Sequence, residues 1–300
     1  MNQPSSNASS IGDRLRQFAP AFDARFEKLL AAAGGVPSEL VAAVRYSALA
    51  PGKRLRPYLV VRSCELVGGE SDPVWPVAAA VECVHAFSLI HDDLPAMDND
   101  DLRRGQPTCH KKFGEATAIL AGDALIVLAF ELLTDYAGDA FTVAGLVREL
   151  AQGAGWSGMI GGQMSDLLGQ SQPPDRAVVE RIHTKKTARL FQSACRLGAM
   201  VGHASVEQLA ALGRFGQMMG LAFQVTDDLL DVTSSEVALG KGVRKDAGLG
   251  KQSYPRCVGL EESGTISQQC VAQAVVALAG LGREADDLRE LAAYAIVRKY

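Results

Sequence analysis

Aromatic residues are scarce in this 300-residue chain, at 6%, and only two of them are tryptophan. A core built from the 48% of hydrophobic residues must therefore rest on Ala, Leu and Val, which suits closely packed helices. There is no large excess of one charge: 34 acidic against 30 basic residues leave a net charge of -4. That excludes a global pull toward nucleic acid or an anionic membrane, so any anion binding must come from local clusters. The six cysteines form no C-x-x-C pair, which argues against a disulfide framework and for a reducing compartment. Residues 1–10 are polar and lack an apolar stretch, so no secretory signal is expected. The most apolar run, residues 118–133, is interrupted by Asp123 and Glu131 and reads as too short to span a bilayer. The expectation is a cytoplasmic protein with no membrane span and no nucleic-acid partner.

What the chain has instead is helical periodicity. Leu15, Phe18, Phe22, Phe26, Leu29 and Leu30 recur at helical spacing between residues 11 and 33. Gly34-Gly35-Val36-Pro37-Ser38 breaks the pattern, with Ser38 placed as the next cap. Further helices are predicted over 53–66, 74–90, 116–136, 141–168, 176–201, 206–233, 266–281 and 286–298, with Gly, Pro, Asn and Asp between them. No period-2 pattern lasts beyond a few residues, and no disordered linker divides the chain. The fold class predicted is all-α: one domain, 1–300, of about ten helices in a single bundle.

Two aspartate clusters stand out against this background. The first is Asp92-Asp93-Leu94-Pro95-Ala96-Met97-Asp98, and the second is Asp227-Asp228-Leu229-Leu230-Asp231. Charge runs usually mark a solvated face. Here residues 78–90 and 218–225, which precede the clusters, are apolar nearly all round, as in buried helices. A carboxylate pair ending such a helix suffers repulsion and desolvation unless a cation joins it. Asp227 and Asp231 are four residues apart and share a helical face. Asp92 and Asp98 do not, but Pro95 must disturb the helix between them and offers a way to bring them together. Oxygen ligands with no Cys or His pattern point to Mg²⁺.

Cations accompany both clusters. Lys53, Arg54 and Arg56 open one helix, Arg103-Arg104 follow the first cluster, Arg181, Lys185, Lys186 and Arg189 surround Thr187, and Lys241, Arg244, Lys245 and Lys251 follow the second cluster. Singly these are ordinary surface charges. Together they supply the forked and point-charge donors that diphosphates require.

With G-K-R-x-R-P at residues 52–57, the two aspartate motifs, Lys186-Thr187 and Gly240-Lys241 in this order, the chain resembles the bacterial short-chain polyprenyl synthases, most closely those making farnesyl diphosphate. The resemblance implies an isoprenoid-synthase bundle around an apolar cavity, usually a homodimer. It implies that Asp92 and Asp98 hold two of about three Mg²⁺ ions and Asp227 the third, with Asp228 and Asp231 in support. Arg103 and Lys186, helped by Lys241, would hold an allylic diphosphate. Lys53, Arg56, His85 and Arg104 would hold isopentenyl diphosphate, with Lys251 among the substrate cations. Thr187 and Gln224 would turn oxygens toward the reacting carbons. In farnesyl-making relatives a bulky aromatic five residues before the first Asp floors the cavity, here Phe87, with the small Ser88 leaving the space below the diphosphate open. Ser253 and Asn99 depart from the commoner Thr and Asp.

A rival from another class is a di-iron carboxylate bundle, drawn from Glu82-x-x-His85 and Glu180-x-x-His183 with Glu131. It lacks a convincing fourth glutamate and leaves the aspartates and cations without a role. A class I terpene cyclase normally carries an Asn/Ser/Glu motif in place of the second aspartate cluster. Trp75 and Trp156 read as packing residues, His91 as core or supporting, and His110 and His203 as surface.

Overall fold

The computed structural model describes residues 10–31, 35–170, 172–237 and 251–297. Among the described residues the fold is all-α apart from one very short hairpin. In order, the elements are α1 (Ile11–Leu29), α2 (Ser38–Ala48), α3 (Leu55–Leu66), α4 (Trp75–Asp92), β1 (Leu102–Arg103), β2 (Gln106–Pro107), α5 (Cys109–Phe113), α6 (Glu115–Thr134) and α7 (Ala140–Ala154). They continue with α8 (Met159–Gly169), α9 (Arg176–His183), a π-helical turn (Thr184–Ala188), α10 (Arg189–Val201), α11 (Val206–Val237), α12 (Tyr254–Val258), α13 (Leu260–Ala277) and α14 (Asp286–Val297).

The chain divides into two compact units, residues 1–58 with 75–136, and residues 59–74 with 137–300. In the first, α4 packs along α6, and α2 packs on α4, α5 and α6. α1 begins with a capping box in which Ser10 and Asp13 satisfy each other's backbone N–H. Its Phe18, Phe22 and Phe26 are buried, and Phe18 contacts both Tyr58 and Trp75. α4 buries Ala78, Ala79 and Ala80 completely, so its neighbours approach closely, as the small-residue composition implies. In the second unit, α11 packs against α10 and α13, and α10 against α7. Gly198 on α10 sits so near α3 that a Cβ there would lie 2.0 Å from the Val60 carbonyl oxygen.

Several expectations are corrected. Ser38 is the first residue of α2, and Pro37 occupies the cap without a side-chain bond. The single helix expected over 141–168 is two, because the chain turns at Gly155–Gly158, where a Cβ on Gly158 would fall 2.2 Å from the Gly153 carbonyl oxygen. Trp156, read as a packing residue, is 91% exposed at that turn. His110, read as surface, is buried beside Thr108. Residues 72–92 and α6 are both long and apolar enough to cross a membrane by length and composition, so the run at 118–133 is not as short as its charges suggested; 67% and 39% of their respective apolar windows are buried in the structure. All six cysteines are free thiols, five of them buried.

Candidate active site

In the first unit, α4 delivers Asp92 at its C-terminus. Pro95 then stops the helix, and the chain curls back until the Asp98 N–H donates to the Asp92 carbonyl oxygen at 2.9 Å. The Asn99 N–H bonds to Leu94 and the Asp100 N–H to Asp93, with Asn99 in the left-handed region at φ 51°. Asn99 is one of the few residue types that tolerate that conformation, so its replacing a commoner Asp fits the turn. The wide turn thus brings Asp92 and Asp98 to one place, both half-buried.

Asp93, between them, has another task. It is buried and accepts from Arg103 Nε at 2.9 Å and Nη2 at 2.6 Å, a forked pair. Burial pushes the Asp93 carboxyl up while Arg103 works against that rise. Arg103 and Arg104 are presented by the hairpin, whose tip, Arg104-Gly105, has φ of 54° and 78°. Positive φ at both central residues is the type I′ requirement, and its twist matches the paired strands. Arg104 Nη1 donates to the Pro51 carbonyl oxygen and so reaches the segment before α3, where Lys53 stands, with Arg56 in the first turn of the helix. His85, one turn of α4 before Ser88, is held well below its ordinary pKa by burial and by Arg56, Arg104, Arg103 and Arg54. It stays a neutral imidazole among cations. Arg56 and Arg104 thus both lie near His85, and Arg104 also reaches Pro51, two residues before Lys53.

Phe87 is buried on α4, its ring edge-on to His91 at 5.7 Å. His91 Nε2 lies 3.1 Å from the Ile119 carbonyl oxygen of α6, and Gly122 is close enough that a Cβ would meet the imidazole at 2.2 Å. Ser88 Oγ donates to the His85 carbonyl oxygen.

In the second unit, Lys186 and Thr187 lie in the π-helical turn between α9 and α10. Gly162 of α8 lets that turn approach, since a Cβ there would lie 2.2 Å from the Lys186 nitrogen. Lys186 Nζ donates to buried Asp166 at 2.7 Å. Thr187 donates its hydroxyl to Gln224 Oε1 at 2.7 Å, and the Gln224 amide nitrogen lies 3.3 Å from Asp228 Oδ1. Asp228 Oδ2 accepts the Tyr254 N–H at 2.9 Å and stands 3.5 Å from His183 Nε2. Burial, chiefly, lowers His183 to about 3 and keeps it neutral. Asp228, expected beside the metal, is thus buried and ties α11 to α12, whereas Asp227 is half-buried and Asp231 exposed. Lys251 is half-buried; next to it, Gln252 donates its amide to the carbonyls of Gly169, Gln172 and Pro173 and accepts from the Asp175 N–H. Lys241 lies outside the described residues. Arg181 and Lys185 line an open groove on α9 with Glu180.

Four residues were not foreseen as parts of the site: Asp93, Asp166, Gln252 and Glu82. Glu82 was read only as a di-iron ligand, but it pairs with Arg54 at 2.7 Å. Among the described residues no group of three or more His, Cys, Asp or Glu side chains is gathered to hold a metal unaided. The pairing of Glu82 with Arg54 disfavours the di-iron arrangement. Mg²⁺ draws much of its coordination from substrate phosphates and water, so it needs no such group.

Three comparisons bear on this arrangement. A family model described as polyprenyl synthetase matches residues 37–287. Geranylgeranyl pyrophosphate synthase 11, chloroplastic, of Arabidopsis thaliana is 45% identical over 269 residues, covering 87% of this chain and 75% of that protein. Farnesyl diphosphate synthase of Escherichia coli is 45% identical over 267 residues, covering 86% and 89%. The apo crystal structure of an FPP/GFPP synthase from Zymomonas mobilis superimposes with a TM-score of 0.86 at 38% identity, over 95% of this chain and 98% of that one.

Proposed function

Because the chain belongs to the polyprenyl synthetase family, we propose that it condenses isopentenyl diphosphate head-to-tail with an allylic diphosphate, and that its product is fifteen-carbon farnesyl diphosphate. The observation that carries the product assignment is Phe87, a buried aromatic five residues before Asp92, or about 7.5 Å down the helix axis. The twenty-carbon alternative draws support from relatives named for geranylgeranyl products, which are as similar as the farnesyl enzyme. Incubation with magnesium, dimethylallyl and isopentenyl diphosphates, followed by measurement of product length, separates the two.

The donor set fits magnesium: carboxylates alone, with Asp92 and Asp98 joined by a backbone bond and Asp227 and Asp231 one helical turn apart. Asp92 and Asp98 are the proposed holders of two ions and Asp227 of a third, with Asp228 and Asp231 in support. Bound there, Mg²⁺ supplies neutralisation of the charge that grows on a departing diphosphate. Lys186 adds its ammonium to the same task, steered by Asp166, and Arg103 and Lys241 are the proposed companions. Thr187 donates its hydroxyl hydrogen bond to Gln224, so its oxygen lone pairs are available to the allylic cation. Lys53, Arg56, Arg104 and neutral His85, which still has one N–H to donate, take the second diphosphate, and Lys251 belongs with the substrate cations. No side chain of the site stands out as the final base, and the released diphosphate accepts that proton.

The match across residues 37–287 covers both units and supports a single functional domain. Ile119, Leu120 and Val127 leave α6 with an exposed apolar row, which supports a homodimer as the working form. Free thiols support a reducing, cytoplasmic setting.

A further inference from the structure

The segment that carries Lys53 is unusual in its backbone and in what lies under it. Arg54 has φ 49°, a left-handed conformation that is strained for a non-glycine residue. Its carbonyl accepts the Tyr58 N–H at 3.0 Å, which starts α3 at this point. Lys53 and Arg56 stand on either side of that start. The Arg54 side chain does not join them: it is 2% exposed.

All three guanidinium nitrogens of Arg54 are engaged within the protein. Nε meets Asp23 Oδ1 at 2.7 Å, Nη1 meets Glu82 Oε1 at 2.7 Å, and Nη2 donates to the Ala50 carbonyl oxygen at 2.9 Å. The side chain therefore joins α1, α4 and the residues before α3. Glu82 lies three residues before His85, so the carboxylate that holds Arg54 shares a helix face with a proposed diphosphate ligand. Glu82 is only 6% exposed, and its negative charge also acts on Arg104. Arg104 closes the other side: its Nη1 donates to Pro51, and a Cβ on Gly52 would lie 2.8 Å from that nitrogen.

We propose that Arg54, bridging Asp23 and Glu82, is the positioning residue that sets Lys53 and Arg56 against His85 and Arg104, without itself touching substrate. The inference rests on the assignment of those four residues to isopentenyl diphosphate. A buried, fully satisfied ion pair is a poor source of net stability but a strict geometric constraint, because breaking it strands a charge. Lysine cannot replace Arg54, since a single ammonium cannot fork to Asp23 and Glu82 while reaching Ala50.

The test compares Arg54→Gly, Arg54→Lys, Glu82→Gln and Asp23→Asn with Lys53→Ala. Glycine accepts φ 49° without strain, so Arg54→Gly removes the side chain and leaves the backbone preference satisfied. Asp23 is 36% exposed, so Asp23→Asn is the gentlest variant and carries the comparison if another fails to fold. The expected result is a KM for isopentenyl diphosphate raised about tenfold or more by each folded variant, with the KM for geranyl diphosphate changed less than about twofold. Lys53→Ala added to Arg54→Gly should cost less than the product of the two single effects, since both act on one contact. Unchanged isopentenyl diphosphate KM in folded Asp23→Asn and Glu82→Gln, equal weakening of both substrates, or strictly multiplicative effects would each overturn the proposal. If Lys53→Ala alone leaves that KM unchanged, the site assignment itself fails and the proposal falls with it.

Discussion

The Asp98 N–H donates to the Asp92 carbonyl oxygen at 2.9 Å, across six residues. On a straight helix their side chains would diverge; the turn that Pro95 forces makes them neighbours. The approach of the two residues is thus set by the backbone.

Replacing Asp92 or Asp227 with Ala should leave the fold near normal, because each substitution relieves repulsion rather than removing packing. Turnover should fall by at least about a thousandfold, as expected when stabilisation of a leaving group is removed. Circular dichroism and single-turnover rates in magnesium check both halves. Near-normal turnover in either variant would rule out the proposed metal sites.

Lys53→Ala and Arg56→Ala should weaken isopentenyl diphosphate, and Lys186→Ala the allylic substrate. Each lost charge-assisted contact costs about 1.5–3 kcal/mol, or roughly ten- to a hundredfold in KM. Equal effects on both substrates from all three variants would contradict the division of cations.

Phe87→Ala should lengthen the product from fifteen carbons to twenty or more, read by chromatography of the hydrolysed alcohols. The ring is buried and edge-on to His91, so its removal opens space without exposing a polar group. A folded, active variant that still stops at fifteen carbons would show that another residue sets the length.

Stability should fall as the pH drops below about 6.5, the histidine value of an unfolded chain. His183 is held down to about 3, and His85 well below its ordinary value, both mainly by burial. Between the folded and unfolded values only the unfolded chain takes up these protons, so the native state loses up to about 1.4 kcal/mol per pH unit for each histidine. Urea midpoints measured from pH 7.5 to 5.5 should decline; a flat profile would be inconsistent with neutral, buried imidazoles.

Much of this was legible in the sequence because the signals are local. Apolar periodicity located most of the helices, although α13 begins six residues before the expected 266, and Pro95 announced that Asp92 and Asp98 were not on a straight helix. What escaped were partners far apart in the chain. Asp166 and Lys186 are twenty residues apart, and Gln252 bonds to Gly169 across 83 residues. Neither pair has a spacing rule, so only packing reveals it. Gly155 and Gly158 fall inside the single helix expected over 141–168, and close carbonyls make them the break. His110 looked like surface because no spacing pattern marks its burial, although its Nδ1 lies 3.1 Å from the Thr108 hydroxyl.

The five-residue turn Thr184–Ala188 contains one residue more than the same rise of α-helix would need. Helix continues on both sides of it, so the extra residue is absorbed within the turn, and only the sequence register shifts by one between α9 and α10. Deleting any one residue of the turn would let the chain close into ordinary α-helix with its overall length nearly kept. Both flanks would then hold their phase, and the apolar faces of α9 and α10 would stay inward. What would change is the widened turn itself, and with it the placement of Lys186 and Thr187. A single-residue deletion here should therefore spare the fold and be felt at that pair, whereas the same deletion inside α9 or α10 would turn an apolar face away from the core.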